Sequence, residues 1–355
     1  MEMQENIALA GYTTLGIGGP ARWFSEARSE ADIVEAVEFT RSRNLPLFVL
    51  GGGSNLLVAD AGFPGLVLHI ALRGLSRKED GADTIFIVAA GEEWDSFVAA
   101  TVAENCAGVE CLSGIPGTVG GTPVQNVGAY GQEVSSTIQR VRALDRTTLQ
   151  WVEFDNAACE FAYRSSLFNT TARQRYIVSE VTYRLRRGGA PLLTYKDLAQ
   201  KFLQRHNPSP TLAAVREAVR EIRHRKGMLL VEGDPDCRSA GSFFKNPVIA
   251  TAQFAQLAEK FDGIPHYPAG AGAMDAEFVK IPAAWLIEQA GFAKGATVDA
   301  VGDTVGISSR HTLALVNRGG ATAANLLALR DAIRARVTAR FGIVLEQEPV
   351  YLSGE

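Results

Sequence analysis

GIPGTVGGTPVQNVGAYG, residues Gly114 to Gly131, carries six glycines and two prolines in eighteen positions, a density that excludes an uninterrupted helix or strand. Glycine lets a backbone take positive φ and brings its amides close to a ligand, and such amide concavities suit phosphate oxygens. A second cluster, VLGGGSNLLV from Val49 to Val58, follows an apolar run and places Gly51, Gly52, Gly53, Ser54 and Asn55 at a strand end. Two loops of this kind point to a dinucleotide; the competing interpretation is a pair of ordinary turns.

Neither loop is a Rossmann fingerprint, which needs G-x-G-x-x-G between strand and helix and an acidic residue about 20 positions on. Gly51 to Gly53 run into LLVAD and GFPG, which read as strand and turn, and the Gly114 loop is too long before any helical period begins. The pattern ending in Gly-Lys-Ser/Thr is also absent, so nucleotide hydrolysis has no motif behind it.

A chain of 355 residues has room for two or three domains and a sizeable core. The net charge of −4 is scattered in sign, with no basic face for nucleic acid. MEMQENIALAGY lacks the basic start and apolar centre of a secretory signal, and no run approaches the ~20 apolar residues of a membrane span. Cys106, Cys111, Cys159 and Cys237 form no C-x-x-C pair, which favours the cytosol over a disulfide scaffold. His69, His206, His224, His266 and His311 are too dispersed for a metal site and read as structural or solvent-facing.

Ser29 and Asp32 predict a capped helix carrying Ile33, Val34 and Val37, and LPLFVL and VLHIAL predict strands around it. Ile85 to Ala90, Thr137 to Leu144 and Tyr176 to Leu185 read as strands of a second lobe, with a helix over Trp94 to Asn105. Arg186 to Pro191 reads as a linker-like turn. Helical periods follow at Leu212 to His224, Ala252 to Phe261, Pro282 to Ala290 and Ala323 to Phe341, the last burying Leu326, Leu329, Ile333, Val337 and Phe341.

Four segments hold residues suited to chemistry. GSFFKNP, Gly241 to Pro247, sets Ser242 in apolar surroundings with Lys245 and Asn246 beyond it, a proton donor or a buried loop serine. AYRSSLF offers Arg164, a planar fork for a carboxylate or one half of a structural ion pair. LEQEPVYL reads as the last strand, with Glu346 and Glu348 on one face at period two. LLTYKDL places Tyr195 on a loop.

Together with TTLGIGGPA, AAWLIEQAGFAKG and LEQEPV, these motifs run in order over nearly the whole chain, which resembles the UDP-N-acetylenolpyruvoylglucosamine reductase family, in its form with a tyrosine-bearing substrate loop. The resemblance implies an α+β fold: a p-cresol methylhydroxylase-type FAD-binding fold in two lobes, 1–70 and 71–210, plus a C-terminal α+β substrate domain over 211–355. It implies non-covalent FAD held by Gly51, Gly52, Gly53, Ser54 and Asn55 and by Gly114, Ile115, Pro116, Gly117, Gly120, Gly121, Gln125, Asn126, Gly128, Ala129 and Tyr130. It implies NADPH as reductant of a sugar-nucleotide substrate in peptidoglycan precursor synthesis, by a monomer. Arg164 and Glu348 would flank the enolpyruvyl carboxylate, Ser242 would donate the proton, with Lys226 or Lys245 assisting, and Tyr195 would close over the diphosphate. Tyr163, Arg223, Lys226, Asn246 and Lys294 match further substrate-side positions. The segment GMLLVEGDPDCRSAG ahead of Ser242 is longer than the family pattern, and His311 stands where a polar substrate contact is expected.

Two other functions fit less of the chain. One is a flavin alcohol or lactone oxidase of the same fold, although such enzymes often tether flavin through His or Cys and neither glycine loop holds one. The other is a sugar-nucleotide binding protein without catalysis. A yellow colour bleached by NADPH excludes the second, and oxygen consumption without sugar favours the first.

Overall fold

Strand Phe63–Ile70 is central to the first sheet of the computed structural model, which describes residues 1–204, 209–268 and 277–354. It pairs in parallel with Pro20–Ala27 on one side and Leu47–Leu50 on the other, and Gln4–Ala8 completes the sheet. Parallel neighbours need a crossover, and helix Glu30–Ser42 supplies it. Ser29 accepts from the Asp32 N–H while the Asp32 carboxylate accepts from the Ser29 N–H, the reciprocal cap expected from sequence. The cap contributes about 1 kcal/mol.

A second, antiparallel sheet follows in the order Gln150–Asp155, Ile138–Asp145, Tyr176–Arg187, Asp83–Ala89, Leu75–Asp80. Tyr176–Arg187 buries Ile177, Val178, Ser179, Val181, Thr182, Tyr183 and Leu185, as a covered central strand must, and its register against Ile138–Asp145 shifts between Val178 and Glu180. It takes in Arg186 and Arg187, so the turn read from Arg186 starts at Gly188. Trp94 and Phe97 of helix Trp94–Ala103 pack on Phe86 and Tyr183 in one aromatic cluster. Two helices, Lys196–Gln204 and Leu212–Arg225, follow, and Tyr195 stands on the loop just ahead of the first.

Contacts divide the chain into two compact units, one of Met1–Ile7, Pro20–Gly53 and Phe63–Arg225, the other of Ala8–Gly19, Ser54–Gly62 and Lys226–Glu355. This division differs from the three consecutive segments read from sequence. Its main boundary follows Arg225, and two short early segments belong with the C-terminal half.

In the second unit, Ser239–Ser242, Ala314–Asn317 and Val305–Ile307 form one sheet, and Val248–Ala250, Phe278–Lys280 and Tyr267–Pro268 another. Helix Ala323–Phe341 buries the five apolar positions its period predicted. Its first two amides, at Ala323 and Ala324, donate to the Asp60 carboxylate, which ties segment 54–62 into this unit. The last strand is only Val350–Leu352, paired in parallel with Leu56–Val58. Glu346 and Glu348 precede it, so the strand reading began too early; Glu346 is exposed and pairs with Lys245. All four cysteines are buried thiols outside any disulfide. His206 lies outside the described residues.

Candidate active site

The two glycine loops meet within the first unit. A Cβ on Gly52 would stand 2.6 Å from the Gly117 Cα, and one on Gly51 would stand 2.8 Å from the Thr118 hydroxyl, so the approach needs glycine. The N–H groups of Gly51, Gly52 and Gly53, and of Ile115, Gly117 and Thr118, donate to no acceptor among the described residues. Facing runs of open N–H donors fit an anionic pyrophosphate. Gly120 and Gly121 are used differently: Gly120 donates to the Ala90 carbonyl and a Cβ there would collide with Ala90, while Gly121 donates to Thr118. FAD is the group this cradle fits.

Of the nine non-glycine residues with positive φ among the described residues, three are candidate site residues: Asn126 (φ 44°), Tyr130 (φ 50°) and Arg164 (φ 53°). Such conformations cost about 1 to 3 kcal/mol each and gather at functional sites. The Asn126 side chain is committed to protein contacts: its amide donates to the Ala162 carbonyl and the Glu133 carboxylate, and its oxygen accepts from the Ser135 N–H. That clamp joins the loop of Gln125, Gly128 and Ala129 to the tight turn at Ala162–Ser165. The turn presents Arg164, whose guanidinium donates to the Gly128 carbonyl at 2.7 Å and lies over the half-exposed Tyr163 ring. Arg164 thus borders the glycine loop.

Arg223 is buried, at 9% exposure, and its Nε donates to the Gly114 carbonyl. Burial holds its pKa below the usual arginine value, with the Tyr130 hydroxyl as a hydrogen-bond partner. Burial likewise pushes the Tyr130 phenol up to about 12. The Tyr130 ring meets Tyr195 edge to face with centroids 5.2 Å apart, and Tyr195, just ahead of helix Lys196–Gln204, stays 37% exposed. Sequence reading missed Asp95, which accepts from Arg216, Arg220 and the Gly114 N–H. Burial raises its pKa, yet those donors outweigh burial and leave it below the usual carboxylate value.

The second unit brings together Ser242, Asn55 and Glu348. Ser242 ends strand Ser239–Ser242 opposite Ala314, a strand residue where a loop serine was the alternative. Phe243 accepts from the Glu348 N–H at 2.9 Å, and Asn55 accepts from Val350 at 2.9 Å while its side-chain amide reaches the Glu348 carbonyl at 3.4 Å. Ser54 and Asn55 fall in the second unit, whereas Pro116 stays with its loop in the first. Lys245 pairs with the exposed Glu346. Asn246 accepts from the Ala283 N–H at the start of helix Ala283–Gln289. The pKa of His311 is driven down to about 4 by burial first and then by Lys226 and Lys294, so each lysine lies within electrostatic reach of the ring.

The open amides of two touching glycine loops fit the pyrophosphate of an FAD-binding flavoprotein, and residues 21–150 match the FAD binding domain family. Residues 234–352 match the family described as UDP-N-acetylenolpyruvoylglucosamine reductase, C-terminal domain. UDP-N-acetylenolpyruvoylglucosamine reductase of Thermobifida fusca is 46% identical, over 98% of this chain and 97% of its own. The protein of the same name from Cupriavidus pinatubonensis is 40% identical over 99% of each chain. The solved UDP-N-acetylenolpyruvylglucosamine reductase of Thermus caldophilus shares the fold, with a TM-score of 0.65 at 24% identity over 99% of this chain and 100% of its own. The chain belongs to the UDP-N-acetylenolpyruvoylglucosamine reductase family, and is a flavin-dependent oxidoreductase of α+β fold with an FAD binding domain.

Proposed function

We propose that this protein reduces UDP-N-acetylenolpyruvoylglucosamine to UDP-N-acetylmuramate with NADPH as electron source, a step of peptidoglycan precursor synthesis, as a cytoplasmic monomer. Among the described residues no helix is long and apolar enough to cross a membrane. The reading is carried by a relative 46% identical over nearly the whole chain, joined to the facing open amides at Gly51 to Gly53 and at Ile115, Gly117 and Thr118. Those amides would hold the FAD pyrophosphate. Bound FAD supplies the hydride acceptor and donor that protein side chains lack.

The residues have distinct tasks. Addition of hydride to the β-carbon of the enol ether drives negative charge toward the α-carbon and its carboxylate. Arg164, fixed by the Gly128 carbonyl, would stabilise that charge where it develops. Ser242 would pass its hydroxyl proton to the α-carbon, completing addition across the double bond. A serine is a weak acid, and Lys226 or Lys245 would assist it. Glu348 would act as a protonated acid or by positioning a cation or a water, since a bare anion opposes the developing charge. Tyr195 would contact the diphosphate, with Tyr163, Arg223, Asn246 and Lys294 on the substrate side and His311 as a neutral hydrogen-bonding ring.

A steady-state assay in deuterium oxide tests the reading. One NADPH should be consumed per sugar nucleotide, and the product should carry one solvent deuterium at the α-carbon. Oxygen-dependent NADPH consumption with unchanged sugar nucleotide would favour an oxidase.

A further inference from the structure

Glu110 lies directly before the glycine-rich loop, has no exposed surface and takes no part in the chemistry above. A buried carboxylate is costly unless donors surround it. Here they are the Gly108 N–H at 2.7 Å, the Gln132 side-chain amide at 2.8 Å and the Leu192 N–H at 3.0 Å. Gln132 returns its oxygen to the Cys111 N–H at 2.7 Å, and the Cys111 thiol donates to the Leu192 carbonyl at 3.3 Å. Both backbone polar groups of Leu192 are therefore held by residues 110 and 111.

Three residues beyond Leu192 stands Tyr195. The intervening Thr194 crowds Gly131, at φ 87°, so closely that a Cβ there would lie 2.4 Å from its hydroxyl. Tyr130 supports the Tyr195 ring, and Leu198 and Phe202 sink into a cluster with Cys111, Tyr130, Val215 and Ile222. We propose that Glu110 is a positioning residue for substrate binding, which anchors the root of the Tyr195 segment to the glycine loop so that the tyrosine is presented at a set distance from the flavin. The proposal rests on the reading that Tyr195 contacts the sugar nucleotide.

Glu110→Gln in the holoenzyme keeps the shape but turns an amide hydrogen toward one of the three donors. The dissociation constant for the sugar nucleotide, from flavin absorbance titration, should rise about tenfold, the effect of one charge-assisted hydrogen bond. Flavin reduction by NADPH should keep its rate. Hydrogen exchange should quicken over 191–198 and stay as in the parent over Trp94–Ala103, a readout independent of turnover. Unchanged affinity and exchange would overturn the proposal, as would loss of flavin with both half-reactions slowed. If Glu110→Gln does not fold, Gly131→Ala displaces Thr194 from the other side. Weaker sugar-nucleotide binding in that variant supports the anchor, and unchanged binding overturns it. Tyr195→Phe measured alongside separates the premises: if it binds substrate normally, the tyrosine contact fails, whereas Glu110 is still judged by exchange over 191–198.

Discussion

The backbone N–H of Glu348 donates to the carbonyl of Phe243 at 2.9 Å, which sets the carboxylate-bearing residue beside the neighbour of Ser242 across an antiparallel pairing. Two groups from segments about a hundred positions apart are thereby held in register by backbone alone. Ser242→Ala should leave this pairing intact, because only a hydroxyl is lost. Flavin reduction by NADPH should proceed near the parent rate, and reoxidation by the sugar nucleotide should slow by about 10²-fold or more, the usual contribution of a positioned general acid. Stopped-flow absorbance follows both steps, and equal slowing of the two would reassign Ser242 to the fold or to the flavin.

Tyr195→Phe removes a hydroxyl while keeping the ring that packs on Tyr130. Substrate affinity should fall by roughly 0.5 to 3 kcal/mol, according to the charge on the partner. Flavin reduction by NADPH should be unaffected. An absorbance titration giving the parent dissociation constant would count against the diphosphate contact.

Flavin should be releasable. Neither glycine loop holds a His or Cys for a covalent bond, and the donors the loops offer are backbone amides. Acid precipitation should leave all the yellow colour in the supernatant, and colour in the pellet would refute non-covalent binding.

His311 makes a pH prediction with a definite sign. Burial and the two lysines lower its folded pKa to about 4, below the ordinary value near 6.5. The unfolded chain therefore takes up a proton before the folded one does. His311 should cost no stability above about pH 6.5 and should destabilise the fold progressively as pH falls toward 4. His311→Gln should flatten that part of the stability curve, measured by urea unfolding at several pH values. Parallel curves for parent and variant would contradict the assigned environment.

Local signals were readable and distant ones were not. Ser29 with Asp32, and the apolar period of Ala323–Phe341, are written within a few residues and appear as expected. Glu110 looks like an ordinary charge because its partners Gln132 and Leu192 lie 22 and 82 positions away. Asp95 is concealed in the same way by Arg216 and Arg220, 121 and 125 positions on. Likewise, nothing local reveals that 8–19 and 54–62 fold with the C-terminal unit, since Asp60 finds the amides of Ala323 and Ala324 only in the folded chain. The period-two pattern at Glu346 and Glu348 misled because such spacing persists in extended backbone outside the strand proper. Candidate residues were legible by type; the contacts that set them in place were not.

An anaerobic flavin titration tests the central claim most directly. NADPH should bleach the yellow protein, and stoichiometric UDP-N-acetylenolpyruvoylglucosamine should then restore the colour with air excluded. A protein that stays bleached with the sugar nucleotide and regains its colour only on admission of oxygen would contradict the account.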